Sequence, residues 1–399
     1  MSSPQFNGRS FGVLSLAHLV NDMYTNFLPQ LIPFLIAARG YTVFAGATLV
    51  TAFTLSSSLL QPFFGYLVDQ KGQRWLVYVG TLWMALLLGV TGLIPGYPLL
   101  LVISIMAGLG TSAFHPQAMA MVGQVAGDRK GFLLGAFIAA GNLGLAVSPL
   151  VLLPLFDYYG YSSTWVVIIP GLLVTLMLYR YAPESEPHIK PAQGLKQALG
   201  ALKNVSADLY KLMTVVALRS LVHSGLMMLL PLYLMLNRKF SAENTGYLVF
   251  ATLATGALGG LIGGYISDRY GRKPLIVVSL ALSALLFYGF LYTGGALSFI
   301  LLSLGGMTLL SSFSVTVAAA QEVIPENKAL ASGLSLGFAI GMGGLAVTPV
   351  GKFADIFGVD AAVKLVFSLP LAAALIGLYI REAGQKQSLV NAVPGEVKR

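Results

Sequence analysis

The sequence predicts an all-α membrane protein of twelve transmembrane helices, arranged as two pseudo-symmetric six-helix bundles. Three observations point there. Apolar residues make up 56% of the 399 and charged residues 10%, with a mean hydropathy of +0.79. A soluble domain carries about 25% charged residues, so this chain lacks the polar surface to cover itself in water. Twelve mainly apolar runs each reach the roughly 20 residues that cross a hydrocarbon core about 30 Å thick. Finally, several segments recur at an offset close to half the chain length.

Residues 1–10 are polar, and the first apolar run holds Asn21 and Asp22 without a small-residue cleavage site, so no cleavable signal peptide is expected. Helix 1 is predicted over 11–36 and carries His18 and Asp22. Helices 2 and 3 follow over 43–68 and 75–95. Helix 4, 98–122, contains His115-Pro116-Gln117, and helix 5, 131–156, contains Asn142 and Ser148-Pro149. Helix 6 covers 161–181. The segment 182–210 opens Ala182-Pro183-Glu184-Ser185-Glu186-Pro187 and continues Leu195-Lys196-Gln197-Ala198-Leu199. It reads as a linker followed by a basic amphipathic helix on the membrane surface. Helix 7, 211–236, carries Arg219 and His223. Helices 8 to 12 are predicted over 244–267, 274–293, 297–321, 330–354 and 360–380. The units are therefore an N-terminal bundle, 1–181; a cytoplasmic linker, 182–210; a C-terminal bundle, 211–381; and a cytoplasmic tail, 382–399.

Lys and Arg set the orientation. Of the 24, eighteen fall at the termini, in the central segment or in loops after even-numbered helices. Five fall on the other side (Arg39, Arg238, Lys239, Lys352, Lys364), and Arg219 lies inside a helix. The positive-inside bias places both termini in the cytoplasm of a cell whose inner membrane the chain spans. The formal charge of +9 is thus a topology signal, and no nucleic-acid partner is expected.

The halves repeat. Gly65-Tyr66-Leu67-Val68-Asp69-Gln70-Lys71-Gly72-Gln73-Arg74 returns 199 residues later as Gly264-Tyr265-Ile266-Ser267-Asp268-Arg269-Tyr270-Gly271-Arg272-Lys273. Ala146-Val147-Ser148-Pro149 returns at an offset of 200 as Ala346-Val347-Thr348-Pro349, Pro170 matches Pro370 at the same offset, and Pro29 matches Pro231 at 202. Such an offset marks two six-helix repeats. In the repeated loop the glycine permits close helix packing, and the acid can face a helix N-terminus or an arginine. Gly65, Asp69, Arg74, Gly264, Asp268, Arg269 and Arg272 are read as a conformational latch, the alternative being a topology anchor only.

This loop resembles the signature loop of the major facilitator superfamily. The second copy fits fully, whereas Gln70 and Gln73 stand at usually basic positions of the first. A narrower resemblance is to the fosmidomycin-resistance group of efflux proteins. It rests on His18-Leu19-Val20-Asn21-Asp22, on Ser57-Ser58-Leu59-Leu60-Gln61-Pro62, on Gly108-Leu109-Gly110-Thr111-Ser112-Ala113-Phe114-His115-Pro116 and on Gly141-Asn142-Leu143-Gly144. Gln117 stands where the group commonly has glutamate. Many drug:proton antiporters carry an arginine four residues before the helix 4 glycine, where this chain has Ser104. Their G-x-x-x-G-P in helix 5 is matched in part by Gly144 and Ser148-Pro149. The resemblance implies alternating access and drug:proton antiport, with fosmidomycin as the group's named substrate.

Ionisable residues inside the membrane are few. An ionised group at the bilayer centre costs at least about 2.5–3.5 kcal/mol, so it needs a partner or a wet cavity. His18 and Asp22 are spaced i,i+4, as are Arg219 and His223, so each pair shares a helix face. With His115 they are predicted to face one polar cavity. Asp22, His18 and His115 are the expected proton-coupling residues, since burial favours a neutral acid and a neighbouring cation favours a charged one. Arg219 suits an anionic group, such as a phosphonate, through paired hydrogen bonds, or alternatively pairs with Asp22 or reaches out to the helix end. His223, Asn21, Gln117 and Asn142 complete the expected substrate set. His115 has a second reading, as a partner of backbone freed by Pro116.

Cysteine is absent, which removes disulfides, thiolate metal sites and cysteine nucleophiles. The four histidines lie on separate segments with no H-x-x-x-H pair, so no metal site is expected. No G-x-x-x-x-G-K-[ST] loop occurs, so neither ATP hydrolysis nor any cofactor or enzymatic chemistry is expected. The partners are a small polar or anionic molecule, protons and lipid, and one chain suffices as a monomer because it holds both bundles. A metabolite importer would share every feature above. A non-transporting receptor would need a soluble signalling domain, and only 19 residues follow Ile380.

Overall fold

The structure, a computed structural model, describes residues 6–71, 73–127, 130–184, 207–323 and 328–380. Most of the predicted linker helix and the tail 382–399 lie outside the described residues. The helices of the first half are α1 Gly8–Thr25, α2 Phe27–Arg39, α3 Val43–Leu59, α4 Gln61–Lys71, α5 Trp75–Val90, α6 Tyr97–Val125, α7 Lys130–Tyr159 and α8 Ile168–Tyr181. Those of the second are α9 Ala207–Leu232, α10 Ala242–Tyr270, α11 Arg272–Tyr292, α12 Gly295–Val323, α13 Lys328–Phe357 and α14 Val359–Gly377. No strand occurs among the described residues.

Ten helical rods are long and apolar enough to cross a membrane. Two further rods, α1–α2 and α13, bring the rods among the described residues to twelve. Two predicted spans are broken. The run 11–36 divides at Asn26, where the chain leaves α1 and enters α2. Pro29 offers no N–H to the carbonyl four residues before it, which weakens the helix at this point. Asn26 Nδ2 donates instead to Leu145 O of α7 at 3.0 Å, and Ser148 Oγ donates to Asn26 O at 3.2 Å. The run 43–68 divides at Leu60, two residues before Pro62. The helices predicted over 98–122, 131–156, 244–267, 297–321 and 330–354 each run two or three residues past their predicted C-terminal ends.

Buried apolar side chains form two main clusters. One lies within residues 13–182; the other lies within 212–380 and takes in Ile32, Val43, Ala47 and Ala146 of the first half. The halves pack chiefly through α3 against α13 and α7 against α10. Thr51 Oγ1 donates to Gly344 O at 2.6 Å, and Thr348 Oγ1 donates to Thr51 Oγ1 at 2.8 Å. Asp355 at the end of α13 caps α3: its carboxylate accepts from Val43 N at 2.7 Å and Phe44 N at 3.0 Å. A Cβ on Gly351 would sit 2.5 Å from Ala47 Cβ, so glycine is what lets these helices touch. These hydrogen bonds between the halves join residues 43–51 to 344–355. These belong to the start of α3 and the later part of α13, the side of the bundle opposite the start of α1.

Candidate functional site

Three helices each bring an i,i+4 pair to one point, because residues four apart share a face. From α1 come His18 and Asp22, from α6 Thr111 and His115, and from α7 Phe137 and Gly141. Asp22 Oδ2 lies 3.4 Å from His18 Nε2, and Asp22 Oδ1 lies 3.1 Å from His115 Nε2. The far side of each ring is held by backbone. His18 Nδ1 donates to Phe137 O at 2.7 Å, and its ring stacks on Phe137 with centroids 4.1 Å apart. His115 Nδ1 lies 3.0 Å from Thr111 O and 2.9 Å from Thr111 Oγ1. His115 thus binds Thr111 O with one nitrogen and Asp22 with the other, whereas the carbonyl that Pro116 frees is that of Ser112, four residues before it. Gly141 makes the space, since a Cβ there would lie 2.5 Å from Asp22 Oδ2 and from His18 Nε2.

His18 and His115, which stand on separate segments of the sequence, thus converge on Asp22. Donor atoms of His18, Asp22 and His115 all fall within 4.8 Å of one another. By spacing alone the trio suits a small cation of either kind, a metal ion or protons. Side-chain exposure rises from 7% at His18 through 13% at Asp22 to 25% at His115, so His115 forms the open edge. Asn21, fully buried, accepts from Thr111 Oγ1 at 2.7 Å and keeps an unpartnered Nδ2. Gln117 is fully buried on α6. Asn142 is exposed and stands outside the cluster, its neighbour Gly141 being the residue that faces Asp22. Asn142 is therefore not among the residues that meet Asp22.

Arg219 forms a second focus on α9. The residue is 2% exposed, so it does not reach out to the helix end. Its guanidinium lies over the Phe313 ring of α12, 4.5 Å from the centroid. Nη2 reaches Ser220 Oγ at 3.4 Å, while Nε and Nη1 have no hydrogen-bond partner. His223, half-buried, follows one turn later. The alternative pairing of Arg219 with Asp22 is not made in this structure, where Asp22 meets the two histidines. Among the described residues no carboxylate pairs with Arg219.

The repeated loops hold charge clusters within their own halves. In the second half Arg272 Nη1 meets Asp268 Oδ1 at 2.5 Å, and Arg272 Nε meets Glu322 Oε1 at 3.1 Å. Arg269 lies over the Tyr265 ring. Gly264 faces Ser314 of α12. In the first half Arg74 joins Glu184 at 2.9 Å and donates to Tyr179 O at 2.7 Å. Gly65 lies near Pro116 of α6, and the side chain of Asp69 falls outside the described residues. Glu322, an acid at a helix end, carries no mark in the sequence of the arginine it meets.

Thr111, Asn26, Phe137 and Asp355 carry no such mark either. Neutral polar side chains and backbone carbonyls are everywhere in such a chain, and Asp355 falls in a predicted loop. A faint signal existed for Thr111, which precedes His115 by four.

A model of the Major Facilitator Superfamily matches residues 14–348, and the chain belongs to that superfamily. It is 29% identical over 374 residues, 91% of each chain, to the Fosmidomycin resistance protein of Escherichia coli (strain K12). It is 27% identical over 382 residues, 90% of each, to the uncharacterized MFS-type transporter YfnC of Bacillus subtilis (strain 168). Among solved structures, a bacterial homolog of the human lysosomal transporter Spinster, inward-facing and occupied, matches with a TM-score of 0.76. It is 14% identical and covers 96% of each chain. A mutant of the nucleoside transporter NupG matches with a TM-score of 0.80 at 14% identity, over 94% of this chain and all of that one. The protein is a multi-pass membrane transporter, not an enzyme.

Proposed function

We propose that this superfamily member is a proton-coupled antiporter that exports a small polar or anionic toxic compound, fosmidomycin-like in chemistry, by alternating access. The observation that carries the reading is Asp22 clasped by His18 and His115 at a partly open point where three helices meet. A carboxylate inside a span is costly unless partnered, and histidine is the side chain that exchanges protons near neutral pH. Arg219 supports the anionic preference. A buried guanidinium with two free donor positions leaves an unmet demand that a phosphonate or carboxylate would satisfy with paired hydrogen bonds. The likeness to the Fosmidomycin resistance protein supports the choice of compound.

With the basic side in the cytoplasm, the inter-half bonds of α3 and α13 lie on the outer face, which corresponds to an inward-facing state. The repeated loops then act as the inner latch, released here and closed when the protein faces outward. The test is growth in the presence of fosmidomycin of a bacterial strain lacking efflux pumps. Expression of this chain is expected to raise the inhibitory concentration, and Asp22→Asn to abolish the rise at equal membrane abundance. Sensitisation instead of resistance would make the protein an importer, and resistance retained by Asp22→Asn would sink the coupling assignment.

A further inference from the structure

The direction of each hydrogen bond around Asp22 limits where protons can be. A backbone carbonyl only accepts. His18 Nδ1 lies 2.7 Å from Phe137 O, and His115 Nδ1 lies 3.0 Å from Thr111 O. Both rings therefore hold a fixed proton on Nδ1. Thr111 Oγ1 reinforces this, since it donates to Asn21 Oδ1 and so accepts from His115. In each neutral ring the other nitrogen, Nε2, is then a bare lone pair. Each Nε2 stands against an oxygen of one carboxylate: His115 Nε2 is in hydrogen-bonding geometry with Oδ1 at 3.1 Å, and His18 Nε2 lies 3.4 Å from Oδ2.

A lone pair facing an ionised oxygen is repulsive, and one proton per contact turns each into a hydrogen bond. Whether that proton rests on nitrogen or oxygen does not alter the count. With no proton the unit carries one negative charge, with one it is neutral, and with two it carries one positive charge and both contacts are satisfied. A third proton would set donor against donor. No other charge enters this count. The ionisable groups acting on Asp22 are His115 and His18. From α7 it meets Gly141, with no titratable side chain, and α2, α5 and α8 contribute none.

We propose that His18, Asp22 and His115 form a two-proton site, each histidine–carboxylate contact taking one proton, so that two protons cross per transport cycle. The capacity follows from the ring orientations alone; the per-cycle clause rests on the antiport reading above. The chemistry is proton exchange only, with water as the source and sink.

The experiment counts protons on purified protein, with no transported compound needed. A pH-indicator titration between about pH 4 and 9, the range of unperturbed carboxylates and imidazoles, compares wild type with the triple variant Asp22→Asn, His18→Gln, His115→Gln. Wild type is expected to take up two more protons per chain; a difference of one overturns the proposal. Where the triple variant does not fold, magnetic resonance of the wild type labelled with 15N-histidine in bilayers decides instead. Single variants assign its signals. Both rings are expected to show Nδ1–H with bare Nε2 at high pH, and both Nε2 signals to move on acidification. A neutral ring with its proton on Nε2, or one Nε2 signal that stays still, overturns it. A count of one with Asp22-dependent fosmidomycin–proton exchange intact removes the two-proton site and leaves the antiport reading. A count of two without such exchange keeps the site and removes that reading.

Discussion

At position 141 an added methyl group would lie 2.5 Å from Asp22 Oδ2 and from two atoms of the His18 ring. Gly141→Ala must therefore displace the carboxylate, the imidazole or α7 itself. A shift of this size at a reacting group costs on the order of a hundredfold in rate. We expect fosmidomycin exchange to fall by at least about tenfold while the protein still elutes as a monodisperse species in detergent. Unchanged exchange would mean that the pair need not be held where it is. At Arg219 the planar fork matters more than the charge. Arg219→Lys and Arg219→Gln are both expected to raise the KM for fosmidomycin by roughly tenfold or more, about 1.4 kcal/mol each; a variant that lowered only the maximal rate would place the anion elsewhere. Asp22, His18, His115 and Arg219 were legible in the sequence because an ionisable group in an apolar run stands out. Their grouping was less so. The partners that orient them are a threonine, a glycine and two carbonyls, none of which is conspicuous.

The repeat seen in the sequence has an element-level counterpart that the sequence concealed. Arg39, at the end of α2, donates to the carbonyls of Gly92 and Ile94 beyond α5 and lies over the Tyr161 ring. Arg238, 199 residues later, donates to the carbonyls of Leu291 and Thr293 at the end of α11 and lies over the Phe290 ring. Both satisfy helix-terminal carbonyls that would otherwise be orphaned. The two arginines read as exceptions to the charge bias are thus equivalent structural caps. Each of Arg39→Ala and Arg238→Ala is expected to lower stability by about 1 kcal/mol, seen as similar falls in thermal midpoint in detergent, with transport per folded molecule unchanged. The turns between the last two rods of each half also correspond. Gly160 (φ 78°) and Gly358 (φ 89°) both follow a helix end in the left-handed region that glycine tolerates. Helix existence was readable because some 20 apolar residues leave few choices. The break at Asn26 was not, since it depends on α7 offering Leu145 O and Ser148 in return.

Across the whole molecule, the bonds between the halves gather on one side, where Asp355 caps α3 and Thr51 meets Gly344 and Thr348. Removing a cap of this kind costs about 1–2 kcal/mol, enough to shift a two-state balance by a factor of roughly 5–30. Asp355→Ala is therefore expected to favour the state opened on that side. The chain has no cysteine, so a single Thr51→Cys can report it: Thr51 is 8% exposed, and thiol labelling should speed up severalfold in the Asp355→Ala background. An unchanged rate would mean the cap does not hold the halves together. The two-half architecture was plain from the offset repeats, whereas which ends of the halves touch depends on the state adopted and has no sequence signature.

The central claim is that Asp22, held between two histidines, couples proton movement to export of a fosmidomycin-like anion. It is tested most directly in proteoliposomes by following radiolabelled fosmidomycin under an imposed pH gradient. Wild-type vesicles are expected to accumulate the compound against its gradient when the lumen is acidic, to reverse when the pH gradient is reversed, and to vary in rate between about pH 5 and 8. Asp22→Asn should lose the dependence on the gradient altogether. Accumulation that ignores the pH gradient in wild type, or follows it equally well in Asp22→Asn, would contradict the account.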